Sequence, residues 1–193
     1  MLNLNIFKAN IQDFAKSYVS FLTVILLLPL LSIAQEKEAG LIMETYGEVW
    51  KIENPDFPTD TNTTYKVVFD IMRSPDSPDA LNRSIETAAR FLNMHAQSNI
   101  PESQLKVALV VHGNASKDMI GNAPYLTRFG TQNPNYDMIN QLMEAGVEII
   151  LCGQSSKSRN YPKEELIPGV KISLSAMTAL IQLQNKGYQL IKF

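Results

Sequence analysis

Apolar residues form short runs separated by helical patterns over residues 65–193. Runs rich in branched side chains predict strands at Tyr65–Ile71, Lys106–His112 and Val147–Cys152, and shorter ones at Val170–Ser173 and Tyr188–Phe193. The runs are continuous instead of alternating with polar residues, and strands alternate with helices along the chain. This pattern predicts an α/β domain whose parallel sheet is buried on both faces by helices.

Helical spacing of apolar residues fills the gaps between the strands. The predicted helices begin at Ser77 (an N-cap followed by Pro78), at Asn133–Pro134 (ending at Gly146) and at Ser175 (ending near Gln184), and a polar loop is predicted from Gly113 to about Asn133. The last helix is apolar nearly all round. Such a helix lies either deep in the core or against another subunit.

The first 34 residues differ from the rest of the chain. No charge occurs from Ser17 to Gln35, and the stretch before it is weakly positive. Ser32-Ile33-Ala34 has the small residues that a signal peptidase accepts, and Pro29 breaks the apolar run just before it. We predict a signal peptide over residues 1–34, cleaved after Ala34, and hence a periplasmic or secreted protein. An uncleaved membrane anchor is the alternative.

Residues 35–64 are predicted to form an irregular N-terminal extension. Pro55, Pro58 and the run Thr59–Thr64 are typical of linkers. Trp50, the only tryptophan, is expected to anchor this extension by burial. Residues 65–193 are predicted to form a single domain.

Composition narrows the classes of function. The 193 residues include 17 Lys and Arg against 19 Asp and Glu, so the chain lacks the positive charge of a nucleic-acid-binding protein. Its single cysteine, Cys152, excludes an internal disulfide and any multi-cysteine metal site. The glycines match no phosphate loop or dinucleotide-binding motif, and no serine lies in a nucleophile elbow. We therefore predict no cofactor and no bound metal.

Two side chains with useful chemistry lie at the ends of predicted strands. His112 ends the second strand and Cys152 ends the third, and each is followed by glycine. Ligands of open parallel sheets bind beyond the carboxyl ends of the strands, where glycine lets them approach the main chain. A thiolate there could be stabilised by main-chain amides and could exchange a proton with the histidine. The alternative is that both residues are ordinary packed ones, since free cysteine is among the most buried residue types.

Several short segments, in this order, resemble the DsrE/DsrF-like family. They are Tyr65–Asp70, Val110–Gly113, Glu144–Ile149 with Cys152–Gln154, Pro168–Val170 leading to Ser175–Ala176, and Lys186–Tyr188. With its predicted export and the Tyr46–Gly47 segment, the chain resembles the secreted branch of that family. The resemblance implies a flavodoxin-like fold with about five mostly parallel strands. It also implies homo-oligomers, often trimers or multiples of trimers.

The resemblance also implies sulfur chemistry, because the better-understood relatives are sulfur-relay proteins that carry a cysteine persulfide. Cys152 and His112 match the family's cysteine and its His-Gly strand end, so both are predicted to be catalytic. The residues predicted to bind the ligand flank these two: Gly113, Asn114, Gly153, Gln154 and Ser155. The expected function is a persulfide carrier or sulfurtransferase-like protein with a sulfur donor or acceptor protein as partner. The alternatives are a non-catalytic oligomeric module that binds a small ligand and a purely structural subunit.

Overall fold

The structure of the protein is a computed structural model that describes residues 36–192. The predicted signal peptide and the alternative membrane anchor, residues 1–34, lie outside the described residues. Between residues 36 and 192, no helix is long and apolar enough to cross a membrane.

Five parallel strands form a sheet within residues 36–192, in the order β4-β3-β2-β1-β5. They are β1 Tyr65–Ile71, β2 Leu105–Val111, β3 Glu148–Cys152, β4 Lys171–Ser173 and β5 Gln189–Ile191. The central strands are continuous buried runs, as expected for a sheet covered on both faces. The predicted α/β class with a parallel sheet is confirmed.

Five α-helices join these strands in the described part of the chain. They are α1 Arg83–Gln97, α2 Asn122–Phe129, α3 Tyr136–Glu144, α4 Gly153–Ser158 and α5 Ala176–Asn185. Short 3-10 helices span Glu102–Gln104, Gly113–Met119 and Lys163–Glu165. Ser175 caps α5 as predicted, because its side chain accepts a hydrogen bond from the backbone of Thr178 at 3.1 Å.

The first helix does not begin at Ser77, as the sequence predicted, but at Arg83. Asn82 is the N-cap, and its side-chain oxygen accepts a hydrogen bond from the backbone N–H of Ser84 at 2.9 Å. The hydroxyl of Ser77 is directed to Asp79 instead. The prediction was wrong because a serine before a proline is a local signal, whereas the cap used here is also held by contacts from distant loops.

The prediction of a polar loop after β2 is also wrong. The segment after β2 contains the 3-10 helix Gly113–Met119 and helix α2. Helix α4 also follows β3, where no helix was predicted. Helix α2 buries Tyr125 alone among its residues, and α4 buries Ser156 alone. Neither helix has the periodic apolar stripe from which helices are predicted.

Alternate strand residues point to two cores of unequal size. Phe69 and Leu109 face the larger core, which α1 and α3 cover. Val68 and Val110 face a smaller core, to which α5 contributes its buried residues. Asp70, at the next alternate position after Val68, therefore points toward the α5 side of the sheet.

Helix α5 is buried on one side only. Ala179 and Leu183 face the smaller core, whereas Met177 is 73% and Ile181 is 58% exposed. The exposed Leu174 precedes the helix. Because the helix is apolar nearly all round, its solvent-facing side is an exposed apolar surface.

Residues 36–50, here called the strap, are held against α1. An antiparallel bridge pairs Glu38 with Val49, and Met43 is 1% exposed within the larger core. Trp50 is 46% exposed, with the Lys37 ammonium 5.6 Å from its ring centroid. The prediction that Trp50 anchors this region was wrong, because Met43 is the residue that enters the core.

The fully buried side chain of Asn93 on α1 fastens the strap. Its oxygen accepts a hydrogen bond from the backbone N–H of Met43 at 2.9 Å. Its amide group lies 2.9–3.0 Å from the carbonyl oxygens of Met43, Tyr46 and Gly47. One asparagine thus hydrogen-bonds four backbone groups of the strap, including the buried N–H of Met43 and the carbonyl of Gly47.

Replacing Asn93 should therefore destabilise the fold strongly. We expect Asn93→Ala to lower the free energy of unfolding by about 3 kcal/mol, because it leaves buried backbone groups unpaired. Urea denaturation measures the loss. Asn140→Ala in α3 is the control, since it removes a bond from Asn140 to Tyr136 within the same helix and should cost under about 1 kcal/mol. Equal losses in the two variants would contradict the role of Asn93.

Candidate functional site

Cys152 ends β3 and is the N-cap residue of α4. It is 5% exposed and belongs to the smaller core, together with Val110 and Ala176. Polar groups also reach its sulfur, which accepts hydrogen bonds from the backbone of Ser155, Ala176 and Gln154 and from the hydroxyl of Ser155. The thiol is therefore enclosed, but by a polar as well as an apolar surface.

Two opposing effects set the ionisation of this thiol. Burial raises the pKa of Cys152, because a charged sulfur would lose its water. The hydrogen bonds from Ser155, Ala176 and Gln154 favour the thiolate, and together they bring the pKa of Cys152 below its ordinary value. The local backbone thus favours negative charge on a sulfur that is largely shielded from solvent.

His112 follows β2 and lies level with Cys152 in the sheet. Val111 pairs with Leu151, so the next residues, His112 and Cys152, lie side by side with their backbones about 5 Å apart. Their side chains leave the same face of the sheet. The imidazole is nevertheless turned toward β1, where its Nε2 lies 2.7 Å from Oδ1 of Asp70. The structure therefore pairs His112 with a carboxylate that sequence reasoning did not select.

Asp70 connects His112 to the ammonium group of Lys192. Its Oδ2 accepts a hydrogen bond from Nζ of Lys192 at 2.9 Å, and its side chain is 7% exposed. Burial acts to raise the pKa of Asp70, but hydrogen bonds and the positive charges of Lys192 and His112 lower it below its usual range. One sequence signal could have found this residue, because Asp70 is an acidic residue within the otherwise apolar run Val67–Ile71.

The residues predicted to bind a ligand take part in different contacts. Oγ of Ser155 accepts a hydrogen bond from the backbone N–H of Gly113 at 3.1 Å, which joins the segment after β2 to α4 beside Cys152. The side chain of Asn114 accepts a bond from Arg159 at 2.9 Å, and that of Gln154 donates to the carbonyl of Leu174 at 3.2 Å. In the described part of the chain, no three His, Cys, Asp or Glu residues are grouped so as to hold a metal ion.

The two glycines at the strand ends have packing roles. A Cβ atom at Gly153 would lie 2.5 Å from the carbonyl oxygen of Ser173. Gly113 has a φ of +58°, and a Cβ atom there would lie 2.9 Å from the side chain of Met72. A side chain at either position would push neighbouring segments apart, so glycine is needed for the packing of this edge.

Comparison with known proteins identifies the family. The model of the DsrE/DsrF-like family matches residues 66–193, a range that contains His112 and Cys152. The chain belongs to the DsrE/DsrF-like family. This finding confirms the resemblance drawn from the sequence, whereas membership of the secreted branch stays a prediction.

Two solved structures share this DsrE-like fold. One is a protein of unknown function, MTH1491, from Methanobacterium thermoautotrophicum, with a TM-score of 0.51 and 17% identity over 67% of this chain and 99% of that chain. The other is the ychN protein from E. coli, with a TM-score of 0.50 and 21% identity over 67% of this chain and 99% of that chain. At such identities the likeness shows the fold alone. No curated protein gives a significant match.

A second polar cluster in this DsrE-like chain lies where the segments after β1 and β2 meet. Asp118 is 1% exposed, and its carboxylate accepts hydrogen bonds from Asn82 at 2.7 Å and from Ser74 at 2.9 Å. Burial raises the pKa of Asp118 to about 6, although both bonds and the charge of Lys117 act in the opposite direction. Sequence reasoning missed Asp118 because it lies in the segment predicted to be a polar loop.

The raised pKa of Asp118 predicts a pH-dependent contribution to stability. The folded protein holds this proton more tightly than the unfolded chain, whose pKa is near 3.8, so stability from this group is lost as the pH rises through about 6. Asp118→Asn keeps the shape and removes the charge. We expect the free energy of unfolding of the native protein, relative to this variant, to fall by about 2 kcal/mol between pH 4 and pH 7. Denaturation at several pH values measures this difference, and a constant difference would contradict the prediction.

Proposed function

We propose that this protein carries sulfur as a persulfide on Cys152. The proposal rests on the hydrogen bonds from Ser155, Gln154 and Ala176 to the sulfur of Cys152. These bonds lower the pKa of the thiol despite its burial. The thiolate is the nucleophilic form of cysteine, and it requires such stabilisation to exist in a dry site. Family membership adds support, because the same fold hosts sulfur-relay proteins.

The proposed step transfers one sulfur atom. The Cys152 thiolate attacks the outer sulfur of a sulfane donor, written R–S–SH. A new S–S bond forms on Cys152 while the S–S bond of the donor breaks, and the bonding electron pair leaves with the inner sulfur as RS⁻. His112 accepts the proton released when Cys152 ionises and returns it to RS⁻, which departs as RSH. Backbone N–H groups at Ser155 and Gln154 stabilise negative charge on sulfur during the step.

Loading with a sulfane donor tests the proposal. Mature protein incubated with a small sulfane donor should gain the mass of one sulfur atom, and Cys152→Ser should gain none. Intact-protein mass spectrometry measures both, and because Cys152 is the only cysteine the adduct has one possible thiol. No adduct on the native protein, or an equal adduct on Cys152→Ser, would overturn the proposal.

One observation favours a second candidate, a non-catalytic module that binds a small ligand. Cys152 is 5% exposed within the smaller core, as expected for a cysteine that contributes shape alone. This candidate predicts that an alkylating reagent labels Cys152 only after the protein is unfolded. Rapid labelling of the folded protein at neutral pH would exclude the second candidate and favour the first.

We also propose that the chain is exported as a member of the secreted branch, with cleavage after Ala34. The proposal rests on the uncharged apolar stretch from Ser17 to Gln35 and on the small residues before the cleavage site. Protein recovered from its native cells should begin at Gln35 and lie outside the cytoplasm. A chain that keeps residues 1–34 in the membrane fraction would instead support the anchor, and one that keeps them in the cytoplasm would contradict export.

We propose further that copies of the chain assemble through the exposed side of α5. Leu174, Met177 and Ile181 are each more than half exposed and lie together on this side, and such an apolar surface is typical of a subunit interface. Light scattering after gel filtration should give a mass above that of one chain, and Ile181→Glu should reduce it to a monomer. Phe57→Glu, at an apolar residue 91% exposed elsewhere, is the control and should leave the mass unchanged. A monomeric native protein would contradict the proposal.

A further inference from the structure

A buried carboxylate lies between an imidazole and an ammonium group at the edge of the sheet. The two oxygens of Asp70 have separate partners, Nε2 of His112 at 2.7 Å and Nζ of Lys192 at 2.9 Å. The side chain of Asp70 is 7% exposed and that of His112 is 24% exposed. Asp70 extends from β1, His112 follows β2 and Lys192 follows β5, so three segments meet at this carboxylate.

The contact restricts the proton positions on the imidazole. An ionised carboxylate only accepts hydrogen bonds, so the nitrogen facing it must donate. Lys192 holds the second oxygen of Asp70, and this contact fixes the carboxylate in the orientation that presents the first oxygen to His112. In the neutral ring the proton therefore lies on Nε2, and Nδ1 carries the free lone pair.

We infer that Asp70 is a positioning residue that fixes His112 as the Nε2–H tautomer and thereby makes Nδ1 the proton-accepting atom at this edge of the sheet. Lys192 supports the arrangement by binding the other oxygen of the same carboxylate. The orientation of the His112 ring is thus set by Asp70 on β1 and by Lys192 after β5. The Cys152 thiol, from which the ring would take a proton, lies at the end of β3.

This role of Asp70 rests on the proposed function in one respect, that Cys152 is the group that gives a proton to His112. Cys152 lies level with His112 on the neighbouring strand and on the same face of the sheet. Nδ1 diverges from the direction of Nε2 and hence from Asp70, so it is the ring atom left to take a proton from that thiol. The tautomer itself can be measured without any sulfur donor, so failure of persulfide formation and failure of this inference are separate outcomes.

The chain contains an internal control for the measurement. His95 is the second of its two histidines, and its Nδ1 lies 2.8 Å from the carbonyl oxygen of Phe91. A carbonyl oxygen accepts hydrogen bonds and cannot donate, so Nδ1 of His95 must carry the proton. Burial also lowers the pKa of His95, which favours the neutral ring. The two histidines should therefore be opposite tautomers in one molecule.

Long-range nitrogen–proton NMR spectra of the histidine rings test the inference directly. Spectra of the native protein are recorded at increasing pH until both rings are neutral. We expect His112 as the Nε2–H tautomer and His95 as the Nδ1–H tautomer. A neutral His112 that is Nδ1–H, or an even mixture of both forms, would overturn the inference without any mutation.

Two variants extend the test. In Asp70→Asn, Lys192 favours the amide oxygen, so the amide N–H₂ group faces His112 and the ring should change to the Nδ1–H tautomer. Lys192→Met keeps the carboxylate and should keep the Nε2–H tautomer. His95 should be unchanged in both variants, which shows that the fold is intact. A His112 that remains the same tautomer in Asp70→Asn as in the native protein would overturn the role of Asp70.

Discussion

The parallel pairing of β1, β2 and β3 is the constraint on which the candidate site depends. The register aligns Asp70 with Val110 and Val110 with Ile150, and side chains alternate between the two faces of each strand. His112 and Cys152 lie two residues further along their strands, on the α5 side of the sheet. A shift of one residue in either pairing would send a carboxylate, an imidazole or a thiol to the opposite face. The buried apolar residues between these positions make such a shift costly, because they would have to leave their cores.

Burial acts on three ionisable groups near this edge, and the number of partners decides the outcome for each. Asp70 has hydrogen bonds from Lys192 and His112, and its pKa is lowered although it is almost fully enclosed. Cys152 has several hydrogen-bond donors, and its pKa is also lowered. Asp118 has two neutral donors and one more distant cation, and burial raises its pKa to about 6. Several neutral donors thus lower the pKa of the enclosed Cys152 thiol, whereas two neutral donors do not lower that of the fully enclosed Asp118 carboxyl.

The sequence predicted the sheet well because each central strand is a continuous apolar run bounded by polar turns. It also predicted that His112 and Cys152 lie at the ends of the second and third strands, since each stands next to a glycine at the end of such a run. Asn93 and Asp118 could not be found in this way, and the one local signal for Asp70 was its acidic side chain within an apolar run. Each owes its role to partners that are distant along the chain, such as Met43 for Asn93 and Lys192 for Asp70. Local patterns carry no information on such partners, and the same limit explains why the sequence predicts a helix cap at Ser77, whereas the structure has it at Asn82.

Hydrogen bonds from the backbone around Cys152 lower the pKa of its thiol in spite of burial. The most direct test is an ultraviolet titration of the thiolate in the folded protein and in urea, with the signal of Cys152→Ser subtracted to remove the tyrosines. We expect a midpoint below that of the unfolded chain, whose thiol should titrate near the usual value of about 8.5. A folded-state midpoint equal to or above the unfolded value would show instead that burial outweighs the hydrogen bonds and that the sulfur is an ordinary core side chain.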